Sequence, residues 1–187
     1  MAYNKANVIV GAATIFVDDA CLGWTSGGVT VEAAAEFYNV EVDQEPNPVK
    51  SFRTKETFKI KTNLVENTLE NLKIAWGIDS AIETASPVTA GHRRLAFGGS
   101  NAEASEHTLD IYGNSPGSPA RERQIHFYRV VAVEFGAITM EKNKEQVIPV
   151  TFEALCDPTQ SDGKQIGYIE DQTIREYSTL RMRVTVS

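Results

Sequence analysis

The chain has 187 residues, 42% hydrophobic and 23% charged, which is enough for one substantial hydrophobic core. With 18 basic and 25 acidic residues it carries a net charge of −7, which disfavours a protein that wraps nucleic acid through phosphate contacts. Two cysteines, Cys21 and Cys156, are too few for a secreted disulfide scaffold, and we expect both to be free, buried thiols. We predict a single domain over residues 1–187.

The first forty residues predict strands joined by tight turns. Val8–Val17 is an apolar run that predicts a buried strand. Asp18-Asp19 follows between two apolar segments, and because aspartate tolerates turn conformations the pair predicts a tight hairpin. Alternating apolar and polar residues then predict a strand over about Val29–Asp43.

A proline-containing segment and a strongly alternating segment come next. Gln44–Ser51 contains two prolines, and because proline cannot donate to a sheet ladder we predict a loop there. Ser51–Asn63 alternates between apolar and basic residues, which predicts a strand with one buried face. The basic row has two interpretations, contact with phosphate or cross-strand pairing with Glu41 and Asp43, and the second is favoured in an acidic chain. Its members are Arg53, Lys55, Lys59 and Lys61.

One amphipathic helix is predicted over Leu64–Trp76. Asn63 is its predicted cap, Glu66 follows three residues later as in a capping box, and Gly77 is the predicted stop. Its apolar stripe indicates packing on a sheet rather than a partner-binding surface. The stripe consists of Leu64, Val65, Leu69, Leu72, Ala75 and Trp76.

The remaining chain predicts a loop-rich stretch and a return to strand. Residues 84–123 are rich in small residues and proline, which predicts a peripheral stretch with short strands near Arg94–Phe97 and Thr108–Tyr112. Gln124–Met140 and Val147–Cys156 predict strands, and Pro149 should lie at a strand start, a bulge or a subunit edge. The C-terminal alternation of Leu180, Met182, Val184 and Val186 with Arg181, Arg183 and Thr185 predicts another strand.

Catalytic and metal-binding patterns are absent from the sequence. The three histidines, His92, His107 and His126, lie in different segments without metal-ligand spacing. The densest cluster, Glu103–His107, lies in a predicted loop, and no nucleophile elbow or phosphate loop is present. We therefore predict no catalytic residue, no metal, no cofactor and no enzymatic activity.

Three motifs, in order along the chain, resemble bacteriophage tail tube proteins, also called major tail proteins. Gly23–Val29, "GWTSGGV", resembles the family's glycine-rich turn. A helix after two long strands, "NLVENTLENLKIAWGI", also resembles the family, as does "VIPVTFEALCDP", which matches its recurrent P-V-x-F-x-A-L-x-D strand end. The resemblance covers most of the chain and is weakest across Ala85–Glu122.

This resemblance implies a structural virion protein. Such subunits form hexameric rings that stack into a tube, through which the genome passes during DNA ejection. The implied partners are further copies of the chain, the tape measure, tail terminator and tail tip proteins, and transient genomic DNA without specific binding, but no membrane. The implied location is the virion tail, after assembly in the host cytoplasm. The expected fold is mainly β, a β-sandwich or partial barrel with the helix packed on the sheet and strands contributing to an oligomeric β-barrel.

The resemblance also implies roles for particular segments. Val29–Asp43, Ser51–Asn63, Gln124–Met140 and Val147–Cys156 would line the lumen, and the helix would cover them from outside. The expected lumen-facing residues are Asn39, Glu41, Asp43, Arg53, Lys55, Lys59, Lys61, Thr151 and Glu153. The expected inter-ring loop contains Gln44, Glu45, Pro46, Asn47 and Pro48. A basic row facing DNA departs from this expectation, so either carboxylates of neighbouring strands neutralise the row or this strand faces the other way.

The alternative is a β-sandwich module that binds carbohydrate or a host surface, on a virion or a cell-surface assembly. Such a module would present aromatic side chains in a groove. Trp24 and Tyr112 are the candidates near predicted loops, and we expect Trp24 to lie in the core.

Overall fold

The computed structural model describes residues 7–80, 82–84, 91–98, 103–116 and 121–173. This part of the chain is mainly β, as predicted, with an open antiparallel sheet and one short helix. Its elements are β1 (Thr14–Val17), β2 (Ala20–Cys21), β3 (Thr25–Val42), β4 (Glu45–Leu64), α1 (Leu69–Ala75), β5 (Glu83–Thr84), β6 (Arg93–Arg94), β7 (Glu106–Asn114), β8 (Arg121–Phe135), β9 (Ile148–Ala154) and β10 (Gly167–Thr173).

Eight of the strands form one sheet, in the order β2-β1-β7-β8-β9-β4-β3, and β10 also pairs with β8. β7 lies along one side of β8, while β9 and β10 share the other side. β9 pairs with residues 130–135 of β8, and β10 pairs with residues 121–127. β5 and β6 form a separate two-stranded ladder.

The buried apolar side chains lie on one face of the sheet, which we call the core face. Cross-strand neighbours such as Ile15 and Ile111, or Ile60 and Phe152, belong to it and are at most 4% exposed. α1 packs on this face against β8 and β9, and its Ala75 is fully buried. The opposite face, which we call the polar face, carries charged side chains in regular alternation with the core residues.

The helix is shorter than predicted, and the predicted Asn63 cap is wrong. Asn63 and Leu64 are the last two residues of β4, where Leu64 is fully buried between Thr25 and Ile148. The cap is Thr68, whose side chain accepts a hydrogen bond from the Asn71 amide at 3.1 Å. The apolar Leu64 serves the core as a strand residue, because the sheet continues to that point. The predicted stop is confirmed, since Gly77 has a φ of +57°.

The loop predicted at Gln44–Ser51 is also wrong. The turn comprises only Asp43-Gln44, and β4 begins at Glu45. Two prolines are tolerated because, among the described residues, this part of β4 pairs only with β3, and because the register shifts between Val40 and Val42. Proline removes a ladder donor, so an edge position or a bulge accommodates it.

The stretch 84–123 is not wholly peripheral. Its strand β7 lies between β1 and β8, and Leu109 and Ile111 are in the core. The strand predicted near Thr108–Tyr112 is confirmed and extends further, whereas the one near Arg94–Phe97 is reduced to β6. The predicted strand was too short because small residues and proline surround β7 in the sequence.

Several local predictions are confirmed. Asp18 and Asp19 have φ angles of +49° and +64° and connect β1 to β2. Pro149 is the second residue of β9, at a strand start. A Cβ atom at Gly136 would lie 2.4 Å from the Pro149 Cβ, so a glycine is required for β8 to end beside this proline.

Other local predictions fail or lie outside the described residues. The strand predicted over Val8–Val17 begins only at Thr14, and Val8 and Val10 are strongly exposed. Cys21 and Cys156 are free, as predicted, but exposed rather than buried. β10 was not predicted, and the strand predicted around Leu180–Val186 lies outside the described residues.

Candidate assembly surface

The far part of the β3–β4 hairpin extends beyond the sheet as a two-stranded arm. β4 pairs with β9 only over Lys59–Leu64, so from the Ala33–Phe58 pair outward the hairpin has no third strand among the described residues. We call residues 33–58 the arm. Nine residue steps at about 3.4 Å each give it a length of about 30 Å.

The arm exposes apolar side chains on both faces. None of its residues, all of which are described, is buried. Phe37 is 60% exposed, Tyr38 63% and Phe52 47%, and Val49 is exposed as well. An isolated two-stranded hairpin is marginally stable in water, and both of its outer edges present backbone groups that can pair with another chain. The arm therefore has the properties of a surface that is completed by a partner.

A β-bulge at Thr54 rotates the outer part of the arm. Lys55 lies opposite Glu36 and Arg53 opposite Phe37, so Thr54 is an extra residue in β4. Arg53 consequently forms an ion pair with Glu56, three residues away, which a regular strand would hold on the opposite face.

The bulge also changes the face of the sheet on which Phe52 lies. Phe52 and Tyr38 are cross-strand neighbours on the polar face, although regular alternation along β4 would place Phe52 on the same face as the core residues Phe58 and Ile60. The Lys50 Nζ lies 4.5 Å from the centre of the Phe52 ring. The outer arm thus carries an aromatic and cationic patch beside the charged row.

The structure divides the nine residues predicted to share one face. Five of them lie on the polar face, and three lie on the core-face side of the arm, where the bulge places Arg53 apart from the lysines. Asp43 lies in the turn at the arm tip. The polar-face group is Lys55, Lys59, Lys61, Thr151 and Glu153, and the other group is Asn39, Glu41 and Arg53.

Carboxylates on adjacent strands lie beside two of the three polar-face lysines of β4, Lys59 and Lys61, but they are not the predicted ones. The Lys61 Nζ lies 2.8 Å from Glu32, and this hydrogen bond raises the pKa of the lysine. The Lys59 Nζ lies 3.6 Å from Glu134 and 3.9 Å from Glu153. The predicted partners Glu41 and Asp43 belong to the far end of the hairpin, because an antiparallel register brings them opposite the residues nearest the turn.

The polar face continues across β7 and β8 as paired groups. Glu106 accepts a 2.8 Å hydrogen bond from the Arg129 Nε, and this hydrogen bond lowers the pKa of the glutamate. Asp110 accepts a hydrogen bond from the Gln124 Nε2 at 2.7 Å, and the His126 Nδ1 lies 2.7 Å from the same oxygen. Across β7 and β8, this face therefore presents ion pairs and hydrogen-bonded groups.

A shallow groove of about 350 Å³ lies on the polar face where the hairpin joins the sheet. Lys61 and Glu134 are its charged lining residues, beside Gly28, Pro149 and Thr151. Within the described ranges, no three histidine, cysteine or carboxylate side chains are placed to hold a metal ion.

Trp24 was expected in the core, and this prediction is wrong. Its side chain is 78% exposed immediately before β3, while its backbone amide donates to Glu66 at 3.2 Å.

Of the helices in the described residues, none is both long and apolar enough to cross a membrane.

Comparison with models of known protein families gives no match to this sequence. A search of curated proteins likewise finds no matching protein.

Proposed function

We propose that this protein is a structural subunit that assembles with copies of itself into stacked rings forming a phage tail tube. The observation that carries the proposal is the arm. The arm is about 30 Å of two-stranded ladder with exposed aromatic side chains. An isolated ladder of this kind is marginally stable in water, and we expect a partner to cover its apolar side chains in the functional state.

Copies of the same chain are the expected partners of the arm. A sheet with open edges can accept a strand from another chain through backbone hydrogen bonds. When an edge of one subunit pairs with a different edge of the next, the contact is heterologous, and it closes into a ring if the rotation allows. In such a ring the strands would contribute to a continuous β-barrel. The arm tip, Gln44–Pro48, would contact the adjacent ring.

The polar face is the proposed wall of the lumen. Two of its lysines, Lys59 and Lys61, lie beside Glu32, Glu134 and Glu153, so they are less available to displace counterions from DNA phosphates. A wall of this kind would let genomic DNA pass without specific binding. The proposed partners at the tube ends and inside it remain the tail terminator, tail tip and tape measure proteins.

Electron microscopy and sedimentation of the purified full-length protein test the proposal. We expect rings or tubes for the unmodified chain, and their loss in a Phe37→Ser, Phe52→Ser double variant. A Val8→Ser, Val10→Ser double variant is the matched control, because it removes two exposed apolar side chains outside the arm. A chain that stays monomeric at high concentration, or equal assembly of both variants, would contradict the proposal.

The exposure of Trp24 favours a second candidate, a module that binds carbohydrate or a host surface. A tryptophan that is 78% exposed is a common contact for such ligands. Glycan binding by a monomer, abolished by Trp24→Ala and unaffected by Phe52→Ser, would support this candidate over assembly.

A further inference from the structure

We propose that the two edges of the arm bind each other in neighbouring copies of the chain, with the β3 edge of one subunit pairing with the β4 edge of the next. The inference rests on the proposed self-assembly and adds which strands meet and what selects them. Within the arm, β3 pairs only with β4 among the described residues, so both outer edges are open. Open antiparallel edges bind further strands through backbone hydrogen bonds.

The two edges carry charges of opposite sign. Over residues 33–42, β3 has two carboxylates, Glu36 and Glu41, and no basic residue. Over residues 49–55, β4 has three basic residues and no acidic one. A β3 edge therefore attracts a β4 edge, whereas two β3 edges or two β4 edges repel each other. The basic residues are Lys50, Arg53 and Lys55.

Most of these charges have no ion-pair partner among the described residues. Glu36 and Lys55 are cross-strand neighbours within the arm but form no ion pair. Glu41 has no basic partner among the described residues, and the Lys50 Nζ lies over the Phe52 ring rather than beside a carboxylate. Each edge thus retains charge that the opposite edge of a neighbouring copy can neutralise.

The prolines near the arm tip limit the pairing to the inner part of β4. Pro46 and Pro48 have no backbone N–H to donate, so this part of the β4 edge cannot form a regular ladder. Residues 49–58, which include the basic group, contain no proline. This division leaves the tip for the proposed contact with the adjacent ring.

Ring symmetry gives the two edges the right direction. In a rotationally symmetric ring all arms point the same way. The β3 strand of one copy then runs antiparallel to β4 of the next copy, as it does to its own β4. A two-fold contact between two β3 edges or two β4 edges would instead bring like charges together and would close at a dimer.

The same pairing covers exposed aromatic side chains. Tyr38 on β3 and Phe52 on β4 lie on one face of the arm and are 63% and 47% exposed. Pairing of opposite edges places a strand that carries Phe52 on the open side of β3, and a strand that carries Tyr38 on the open side of β4. Aromatic cross-strand neighbours stabilise an antiparallel sheet. Charge therefore selects the edge, and the aromatic rings add to the affinity.

Zero-length cross-linking of the assembled full-length protein tests the pairing. A carbodiimide joins a carboxylate to an amine that it contacts, so we expect links between chains from the β3 carboxylates of the arm to Lys50 or Lys55. Mixed ¹⁵N-labelled and unlabelled chains, assembled together and analysed by mass spectrometry, separate these links from links within a chain. The link between Glu32 and Lys61, whose charged atoms lie 2.8 Å apart in one chain, is the internal control for the reaction.

The outcomes separate this inference from the proposed function. Rings or tubes that form without the expected links between chains, while the control link is present, would overturn the edge pairing and leave the tail tube proposal standing. A protein that stays monomeric at high concentration would overturn both.

Charge reversal supplies a second measurement. A Glu36→Lys, Glu41→Lys variant has two basic edges. A Lys50→Glu, Lys55→Glu variant has two acidic edges. Each variant alone should need an about tenfold or higher concentration to assemble, whereas the equimolar mixture should form rings, because every basic edge then meets an acidic one. Lys164→Glu reverses an exposed lysine outside the arm and should assemble like the unmodified chain. Unimpaired assembly of either variant alone, or no recovery in the mixture, would overturn the pairing.

Discussion

β4 is buried at one end and exposed at the other, and the difference distinguishes two regions of the molecule. Between β3 and β9, its Ile60 and Leu64 are fully buried. Beyond the last β9 pair, the same strand pairs with β3 alone in the described part of the chain, and it exposes Phe52 and Val49. In the sheet body, burial against α1 and the neighbouring strands stabilises the strand. In the arm, the described residues stabilise the strand only through cross-strand pairs between β3 and β4. The arm is therefore the region that a partner would stabilise most.

The largest expected effect is the difference in the free energy of unfolding between a core variant and an arm variant of the isolated subunit. Phe152→Ala removes a fully buried ring and should lower the free energy of unfolding by about 3–5 kcal/mol. Phe52→Ala, in the arm, should change it by less than about 0.5 kcal/mol. Urea unfolding of the monomer measures both. Similar losses for the two variants would mean that the arm belongs to the folded core.

The intermediate expected effect is the difference in stability between variants of two residues, the observed helix cap Thr68 and the cap predicted from the sequence, Asn63. Thr68→Ala removes the acceptor for the Asn71 amide and should cost about 1 kcal/mol. Asn63→Ala removes only a 3.2 Å side-chain hydrogen bond to the Ser26 carbonyl at the end of β4 and should cost less. Thermal unfolding of both variants gives the comparison. The opposite ranking would favour a helix beginning after Asn63.

The smallest expected effect is a dependence of folding stability on pH, which arises from Asp18 in the β1–β2 turn. Burial raises the pKa of Asp18, but hydrogen bonds from His107 and Thr108, together with the nearby His107 charge, outweigh it and lower the pKa below its ordinary value of 3.8. A lowered folded-state pKa contributes stability that is present above about pH 4 and is lost as the pH falls through the folded value.

Asp18→Asn keeps a residue that tolerates the positive φ and should therefore reduce the loss of stability between pH 7 and pH 3. The side chain is half exposed, so the change should be small and weakened by salt. Asp19→Asn, in the same turn, is the control. Unfolding curves at both pH values for the two variants make the measurement, and identical pH dependences would contradict the role of Asp18.

Prediction from the sequence succeeded where the determining interactions are local. The Asp18-Asp19 turn, the stop at Gly77 and the strand start at Pro149 each follow from the backbone preferences of one or two residues. The alternation of Lys59 and Lys61 with Ile60 likewise identified a strand with two unlike faces. These features need no information about which strands become neighbours.

Prediction failed where the answer depended on a neighbour distant in sequence. The carboxylates beside Lys59 come from β8 and β9, and the one beside Lys61 comes from β3. Their selection depends on the register in which β4 pairs with β3 and β9, and β9 with β8. Trp24, which was expected in the core, lies immediately before β3 with its side chain exposed.

The sequence by itself determined a mainly β chain with one amphipathic helix, because residue periodicity reports which face of each element is apolar. Only the tertiary structure decided that Glu45–Ser51 continues as strand, since two prolines are acceptable wherever the missing donors have no partner strand to serve. It also decided that the helix begins after Thr68, because pairing with β3 and β9 holds Asn63 and Leu64 in the sheet. The extent of the arm is likewise set by tertiary structure, because among the described residues β9 pairs only with Lys59–Leu64 of β4.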